Sequence, residues 1–298
     1  MTNSSAKRIV ISGAGGMVGT VLAGQARAQG RDVAAFTSAQ WDITDAAAAE
    51  HLIRPGDVVI NCAAYTDVDG AESDEDRAHL VNAVGPGHLA RACARVGADL
   101  VHISTDYVFS GDRREPFEID DDTTPMNVYG RTKLAGEQAV LSALPSARVV
   151  RTSWVYRGDV DGKDFVAVMR RLAAGPDPVN VVADQVGSPT YAADLAAALL
   201  QVADGAVDIP VLHAANAGAA SRFEQARAVF ELVGADPDRV CPVTSDQVPR
   251  PAPRPAYTVL SGRRSAEAGL TPLRPWREAL ASALASAGEP AGYPLRRE

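Results

Sequence analysis

Tyr129 and Lys133 stand four residues apart in the stretch "NVYGRTKLAGEQAV" (127–140). On a helix this spacing puts both side chains on one face, one turn apart. An ammonium near a phenol stabilises phenolate and lowers the phenol's pKa, so the two could be a proton donor and its electrostatic tuner. The same spacing occurs on ordinary helices, so the weight falls on what surrounds the pair. Gly13, Gly16 and Gly19 in "GAGGMVG" (13–19) follow an apolar burst and open a helical stretch. Glycines in that order let the backbone turn sharply and approach a pyrophosphate, whose charge the helix N-terminus favours. Ser104 and Thr105 in "HISTDYVFSG" (102–111) offer hydroxyls that could hydrogen-bond a substrate oxygen, or else form a local turn.

Other positions bear on which dinucleotide would bind. A carboxylate after the second strand usually holds the ribose 2′-hydroxyl of NAD. Here that place reads Phe36-Thr37-Ser38-Ala39, which would not repel a 2′-phosphate. The reading leans to NADPH, with NADH possible because no nearby arginine clamps a phosphate. Asp42 and Ile43 fall where an adenine could be held, although Asp42 serves equally well as a turn or capping residue. The small Ala63 and Ala64 would let a cofactor lie close over a sheet edge. Asp67, Asp69 and Glu72 look like a metal cluster but are read as caps of the next helix. No metal is expected, and the five histidines show no ligand spacing.

These groups need a frame. Apolar bursts at 8–12, 32–36, 57–63, 99–104 and 147–152 alternate with helical patterns at 17–29, 46–52, 72–96 and 129–144. Near-continuous apolar strands alternating with helices predict an α/β fold, a doubly wound, Rossmann-like parallel sheet with ligands at the strands' carboxyl ends. Asp45 and Asn127 are read as N-caps. Beyond Thr152 the rhythm loosens, with helices expected at 164–174, 192–203, 222–233 and 276–287 and strands at 178–182 and 210–214. The expected division is a dinucleotide-binding domain over 1–152, to which segments near 176–203 return, and a smaller C-terminal substrate-binding lobe over 153–298. The Pro-rich "VPRPAPRPAY" (248–257) is read as a loop and 288–298 as a mobile tail.

Composition narrows the function classes. The chain has 298 residues, 46 % hydrophobic, with a net charge of −8, which argues against a nucleic-acid partner. Three scattered cysteines (62, 93 and 241) fit a reducing compartment. The start carries no signal-like apolar region and no run of about 18 apolar residues occurs, so a cytoplasmic protein with no membrane partner is expected.

In order, the glycine loop, "NCAAYTDVDGAE", "HISTDYVFSG", "NVYGRTKLAGEQAV", "RTSWVY" and "DQVGSPTYAADLA" resemble the extended short-chain dehydrogenase/reductase family over almost the whole chain. Within it the likeness is strongest to the dTDP-rhamnose branch. That resemblance implies NAD(P)H-dependent reduction of the C4 ketone of dTDP-4-dehydro-β-L-rhamnose. It implies cofactor contacts from Gly16, Met17, Val18, Asp42, Ile43, Ala64, Tyr65 and Thr66. Tyr129 would donate the proton, Lys133 would lower its pKa and hold the nicotinamide ribose, and Thr105 would polarise the ketone. Asp106 would line the sugar site and Trp154 would pack on the sugar; from the residues alone Trp154 reads as a core aromatic. Some relatives dimerise through carboxylates that bind Mg²⁺, one just past the glycine loop. Thr20 stands there, so a monomer or weak homodimer is expected. The rivals are a sugar-nucleotide 4-epimerase of the same fold and a non-catalytic NADP-binding subunit like that of methionine adenosyltransferase. A dehydratase is disfavoured because Thr105 is followed by Asp106-Tyr107 rather than Asp-Glu.

Overall fold

The computed structural model describes residues 7–286; the polar start and the tail expected over 288–298 lie outside them. The first half runs β1 (Ile9–Ser12), α1 (Met17–Ala28), β2 (Val33–Phe36), α2 (Ala46–Leu52), β3 (Val58–Asn61), α3 (Val68–Ala71), α4 (Glu75–His79), α5 (Gly85–Val96), β4 (Asp99–Thr105), α6 (Val128–Ala143) and β5 (Arg148–Thr152). Their apolar, β-branched content is why β1 and β3 are buried at every position. Asp45 and Asn127 are the N-caps of α2 and α6, accepting from Ala47 and Gly130 respectively. The second half adds β6 (Val155–Tyr156), α7 (Phe165–Ala173), β7 (Val179–Val182), β8 (Val186–Gly187), β9 (Thr190–Tyr191) and α8 (Ala192–Ala203). It continues with β10 (Val211–His213), β11 (Ala220–Ser221), α9 (Arg222–Leu232), β12 (Val240–Val243), α10 (Arg263–Glu267) and α11 (Trp276–Ser286).

Six strands form one parallel sheet in the order β10-β5-β4-β3-β1-β2. Successive side chains enter opposite layers. Ile9, Ile11 and Ile60 pack with Leu22 of α1 and Leu195 and Leu199 of α8. Val10, Val59 and Leu100 pack with Ala49 of α2, Leu89 of α5 and Val140 of α6. Helices therefore cover both faces, the doubly wound arrangement expected, and the order reverses at β1, where an open α/β sheet forms its crevice. A separate core joins Tyr156, Val166, Val181, Val229, Phe230, Trp276 and Leu280. It is served by three short pairings, β6 with β9, β8 with β11 and β7 with β12. Of the stretch 176–203, α8 packs against the main sheet, whereas β7 pairs with β12.

The single helix expected over 72–96 is broken. Residues Leu80–Val84 form a π-helical turn between α4 and α5. That turn carries the buried Asn82, which accepts from the Tyr65 amide (2.8 Å) and donates to the Tyr65 carbonyl (3.1 Å) and the Thr132 hydroxyl (3.1 Å). Such bulges recur at functional sites; here it ties α6 to the loop after β3.

Candidate active site

The glycine loop and the loop after β3 touch. Gly13 has φ of 68°, and a Cβ there would come 2.6 Å from the Ala63 nitrogen, so only glycine fits that close approach. Asn61 holds the facing backbone, its Oδ1 accepting from the Ala63 amide (3.1 Å) and from Ser12 Oγ (2.7 Å). Gly16 is the N-cap of α1 and brings no side chain to the first-turn amides, leaving those donors for an anion.

Two cavities open over these strand ends. One, of about 630 Å³, is lined by Gly13, Gly16, Thr37, Ser38, Asp42, Ile43, Ala63, Ala64, Tyr65 and Arg77. The other, of about 350 Å³, is lined by Gly16, Met17, Val18, Ala63, Ala64 and Thr66 on one side and by Thr105, Asp106, Tyr129, Lys133 and Trp154 on the other. They share Gly16, Cys62, Ala63 and Ala64, so they form one cleft across the carboxyl ends of β1, β3 and β4. Every site residue named from the sequence lines it except Gly19, which packs against the backbone of Gly13 and Ala14. Asp42 accepts from the Thr44 amide (3.0 Å) and hydroxyl (2.8 Å), and these bonds hold its carboxyl below the usual range. A glycine cradle shaped for close backbone approach, leading into a chamber lined by hydroxyls, fits a dinucleotide: Gly13, Gly16, Asp42, Ala63 and Ala64 would hold its adenosine and pyrophosphate part, and Met17, Val18 and Thr66 its nicotinamide end.

The reacting wall is held by α6 and by the carboxyl end of β4. Gly130 lets α6 seat close: a Cβ there would come 2.2 Å from the Tyr107 carbonyl oxygen. Gly136 does the same further along the helix: a Cβ there would come 2.1 Å from the Asn82 carbonyl oxygen. Thr105 Oγ1 donates to Asp106 Oδ1 (3.0 Å) and accepts from the Tyr107 amide (3.2 Å). Asp106 also accepts from Ser153 Oγ (2.7 Å); burial raises its pKa against these bonds. The Tyr107 ring meets the Tyr129 ring edge-on at 5.7 Å.

The electrostatics of the opening pair differ from the sequence expectation. Burial raises the Tyr129 phenol above its ordinary value, opposed by a hydrogen bond with Thr105 and reinforced by the charge of Asp106. Lys133 is not among the causes acting on Tyr129. Its Nζ donates to the Ile103 carbonyl (2.7 Å), and burial pushes its pKa down to about 8 against Glu137 and Cys62. Burial is thus the largest cause of both shifts.

Three further groups were not found from the sequence. Glu137, one turn beyond Lys133, is buried and paired with Arg151 at 2.8 Å while accepting from Ser104 Oγ; its i+4 spacing was the available signal. Arg77 of α4 reaches the cavity beside Thr37 and Ser38. Arg222 lies with its guanidinium carbon 3.6 Å over the Trp154 ring. Neither arginine neighbours its site in sequence, so no local pattern marks it.

The family described as "RmlD substrate binding domain" matches residues 7–288. The chain belongs to that RmlD family. It is 68 % identical over 282 residues to the dTDP-4-dehydrorhamnose reductase of Mycolicibacterium smegmatis, covering 94 % of this chain and 86 % of that one. It is 67 % identical over 284 residues to the enzyme of the same name from Mycobacterium tuberculosis, covering 94 % and 93 %. The crystal structure of Bacillus anthracis dTDP-4-dehydrorhamnose reductase in complex with NADP superposes with a TM-score of 0.89 at 36 % identity, covering 95 % of this chain and all of that one.

Asp67 caps α3 through the Gly70 amide, as expected. Asp69 stands in the first turn of α3, as expected, whereas Glu72 departs from the expectation and lies at that helix's C-cap. Asp69 pairs with Arg254 (2.9 Å) and Arg250 (3.7 Å), fastening the Pro-rich loop to the cleft. Glu72 accepts from the Val128 amide (2.9 Å) at the start of α6. Thr20 donates to the Ala14 carbonyl (3.0 Å), closing the glycine loop on itself.

Proposed function

We propose that this protein reduces the C4 ketone of dTDP-4-dehydro-β-L-rhamnose to dTDP-L-rhamnose, the last step of dTDP-rhamnose biosynthesis, with NADPH as preferred cofactor and NADH as an alternative. The observation that carries this reading is the meeting of Thr105, Tyr129 and Lys133 on one wall of a cleft whose other wall is the glycine cradle. The names and identities of its relatives support the substrate, and NADP in the Bacillus anthracis structure supports the cofactor.

A nicotinamide held there supplies hydride to the carbonyl carbon. The chain's own part is to manage the oxygen. Thr105 Oγ1 lines the chamber beside Tyr129 and can polarise the ketone by turning its one hydroxyl proton from Asp106 to the substrate oxygen. Tyr129 then gives its phenolic proton to the oxygen as charge develops, so that one C–H and one O–H bond form and the C=O becomes an alcohol. Lys133, a cation near neutral pH by its value of about 8, stabilises the phenolate left behind until solvent restores the proton. Asp106 and Trp154 bound the sugar side. The glutamate a dehydratase would place after Asp106 is absent, and Tyr107 stands there.

Both reactants, a reduced nicotinamide and a nucleotide-activated sugar, are cytosolic metabolites, so this reading implies a cytoplasmic enzyme, working as a monomer or weak homodimer. Among the described residues no helix is long and apolar enough to cross a membrane. The test is NADPH oxidation by the purified chain supplied with dTDP-4-dehydro-L-rhamnose. Tyr129→Phe should cut turnover about 10²–10⁴-fold while NADPH affinity stays within about twofold. Turnover that survives the substitution refutes the mechanism, and a wild-type chain that binds NADPH without oxidising it points to the non-catalytic rival.

A further inference from the structure

Trp154 is the only non-glycine residue with positive φ among the described residues, at 47°. Bulky L-residues rarely adopt that conformation, and it persists only where the surroundings over-determine it. Two contacts from the second half of the chain do so. Gly187 lies so close that a Cβ would come 2.5 Å from Cε2 and 2.8 Å from Cζ2 and Nε1 of the indole. The Arg222 guanidinium stacks on the ring at 3.6 Å. Gly187 and Arg222 belong to one unit: β8 pairs with β11 through Gly187 and Ala220, and Arg222 begins the helix that follows. The Arg222 amide donates to the Gln185 carbonyl (3.2 Å), closing that unit. Next to the indole, Ser153 Oγ donates to Asp106 and accepts from the Ser188 amide (3.4 Å). The Trp154 carbonyl accepts from the Thr190 amide (3.3 Å).

Arg222 has no carboxylate within ion-pair distance among the described residues. Its guanidinium donates to Gln225 Oε1 (3.2 Å), and burial lowers its pKa to about 10, opposed by Tyr107 and Asp106 and reinforced by the like-charged Arg254. Of the two rings under the planar guanidinium, the indole is the nearer, at 3.6 Å against 4.9 Å for Phe165.

We propose that Gly187 and Arg222 clamp the Trp154 ring and thereby set which sugar configuration the cleft accepts. They are specificity-determining positions that line neither cavity of the cleft and act through Trp154. The inference rests on the proposed reaction, in which Trp154 bounds the sugar. Gly187 is not among the positive-φ glycines, so alanine there strains no backbone angle and acts by driving a methyl group into the indole, which must shift to admit it.

The experiment compares kcat/KM for dTDP-4-dehydro-L-rhamnose with that for dTDP-4-keto-6-deoxy-D-glucose, which differs in sugar configuration, in wild type, Gly187→Ala, Arg222→Lys and Arg222→Met. NADPH affinity is measured by fluorescence titration in all four. Gly187→Ala and both Arg222 variants should each lose about tenfold in discrimination, mainly through KM for the sugar nucleotide, with NADPH affinity held within about twofold. Arg222→Lys separates stacking from charge, because lysine keeps the charge and loses the planar face. Full discrimination in Arg222→Lys, or in all variants, overturns the clamp. If Gly187→Ala does not fold, the Arg222 pair decides. A wild-type chain that reduces neither sugar refutes the proposed reaction instead. The clamp is then read by tryptophan emission: a spectral shift in Arg222→Met that is absent in a Trp154→Phe background supports it, and no shift overturns it.

Discussion

Glu137→Gln tests whether the ion pair behind the reacting wall is as consequential as its burial implies. Glu137 and Arg151 expose only 4 % and 6 % of their side chains. The Arg151 Nε and Nη2 atoms donate to the carboxylate at 3.0 and 2.8 Å, Nη1 donates to the Ile119 carbonyl at 3.1 Å, and the guanidinium lies 5.1 Å from the Phe109 ring centroid. Glutamine keeps the volume and one acceptor but removes the counter-charge, leaving a cation in a low-polarity site. Breaking a buried pair from one side costs about 3–5 kcal/mol. For a chain of this size each kcal/mol lowers the melting midpoint by roughly 2–3 °C, so a drop of about 6–15 °C is expected.

The assay is calorimetric or circular-dichroism melting of the cofactor-free protein, wild type against variant. A drop under about 2 °C would mean that water or a rearranged donor relieves Arg151, and the reasoning would fail. Replacing both partners by Met supplies the converse. Removing two charges together abolishes the desolvation cost as well as the attraction, so that double variant should recover more than half of the loss.

Three other outcomes are expected. Because burial sets the folded pKa of Lys133 near 8, below its ordinary 10.5, the ammonium is present below about pH 8 and lost as pH rises through it. kcat/KM for the sugar nucleotide should therefore fall along an alkaline limb near 8, and Glu137→Gln should move that limb to lower pH; a flat profile to pH 9.5 counts against it. Arg77→Ala should raise KM for NADPH about tenfold and leave NADH nearly unchanged, because Arg77 shares a cavity with Thr37 and Ser38 and would face a 2′-phosphate; equal effects on both cofactors would remove it from that role. With Thr20 bonded back to Ala14 rather than presenting a carboxylate, EDTA should leave the gel-filtration volume unchanged, and a chelator-dependent shift to smaller size would restore the magnesium-bridged dimer.

The main sheet was legible because each of its signals is local. Ala46–Leu52, behind the Asp45 cap, and the Ala- and Leu-rich Ala192–Ala203 are rich in strong helix formers, and the structure places both helices where the pattern does. The positions around the glycine loop and after β3 and β4 were legible for a related reason: strand ends in a parallel sheet converge by topology. What escaped has no local signature. Pairings as short as β6 with β9, two residues each, offer no period to detect. The π turn at Leu80–Val84 depends on Asn82 reaching Tyr65 and Thr132, partners 17 and 50 residues away. The positive φ of Trp154 is imposed by Gly187 and Arg222, so nothing in "RTSWVY" announces it.

The opening pair shows why residue identity alone misjudged the electrostatics. A lysine one turn from a tyrosine suggests a lowered phenol pKa when both groups are imagined in water. Folding instead puts both where charge is costly. Desolvation then acts on the two in opposite directions, raising the acid and lowering the base. Both shifts leave the proton in place at neutral pH: the phenol is held more firmly than usual, and the ammonium, at about 8, is still mostly charged. The resting wall therefore holds a neutral donor beside a cation that can receive the anion formed when the donor gives up its proton. That protonation state suits delivery to a ketone oxygen. Taking a proton from an alcohol would require the phenolate first, in a site that disfavours it until another charge arrives. In the proposed reaction, the burial that contradicts the simple tuner picture would prepare the pair for the reductive direction.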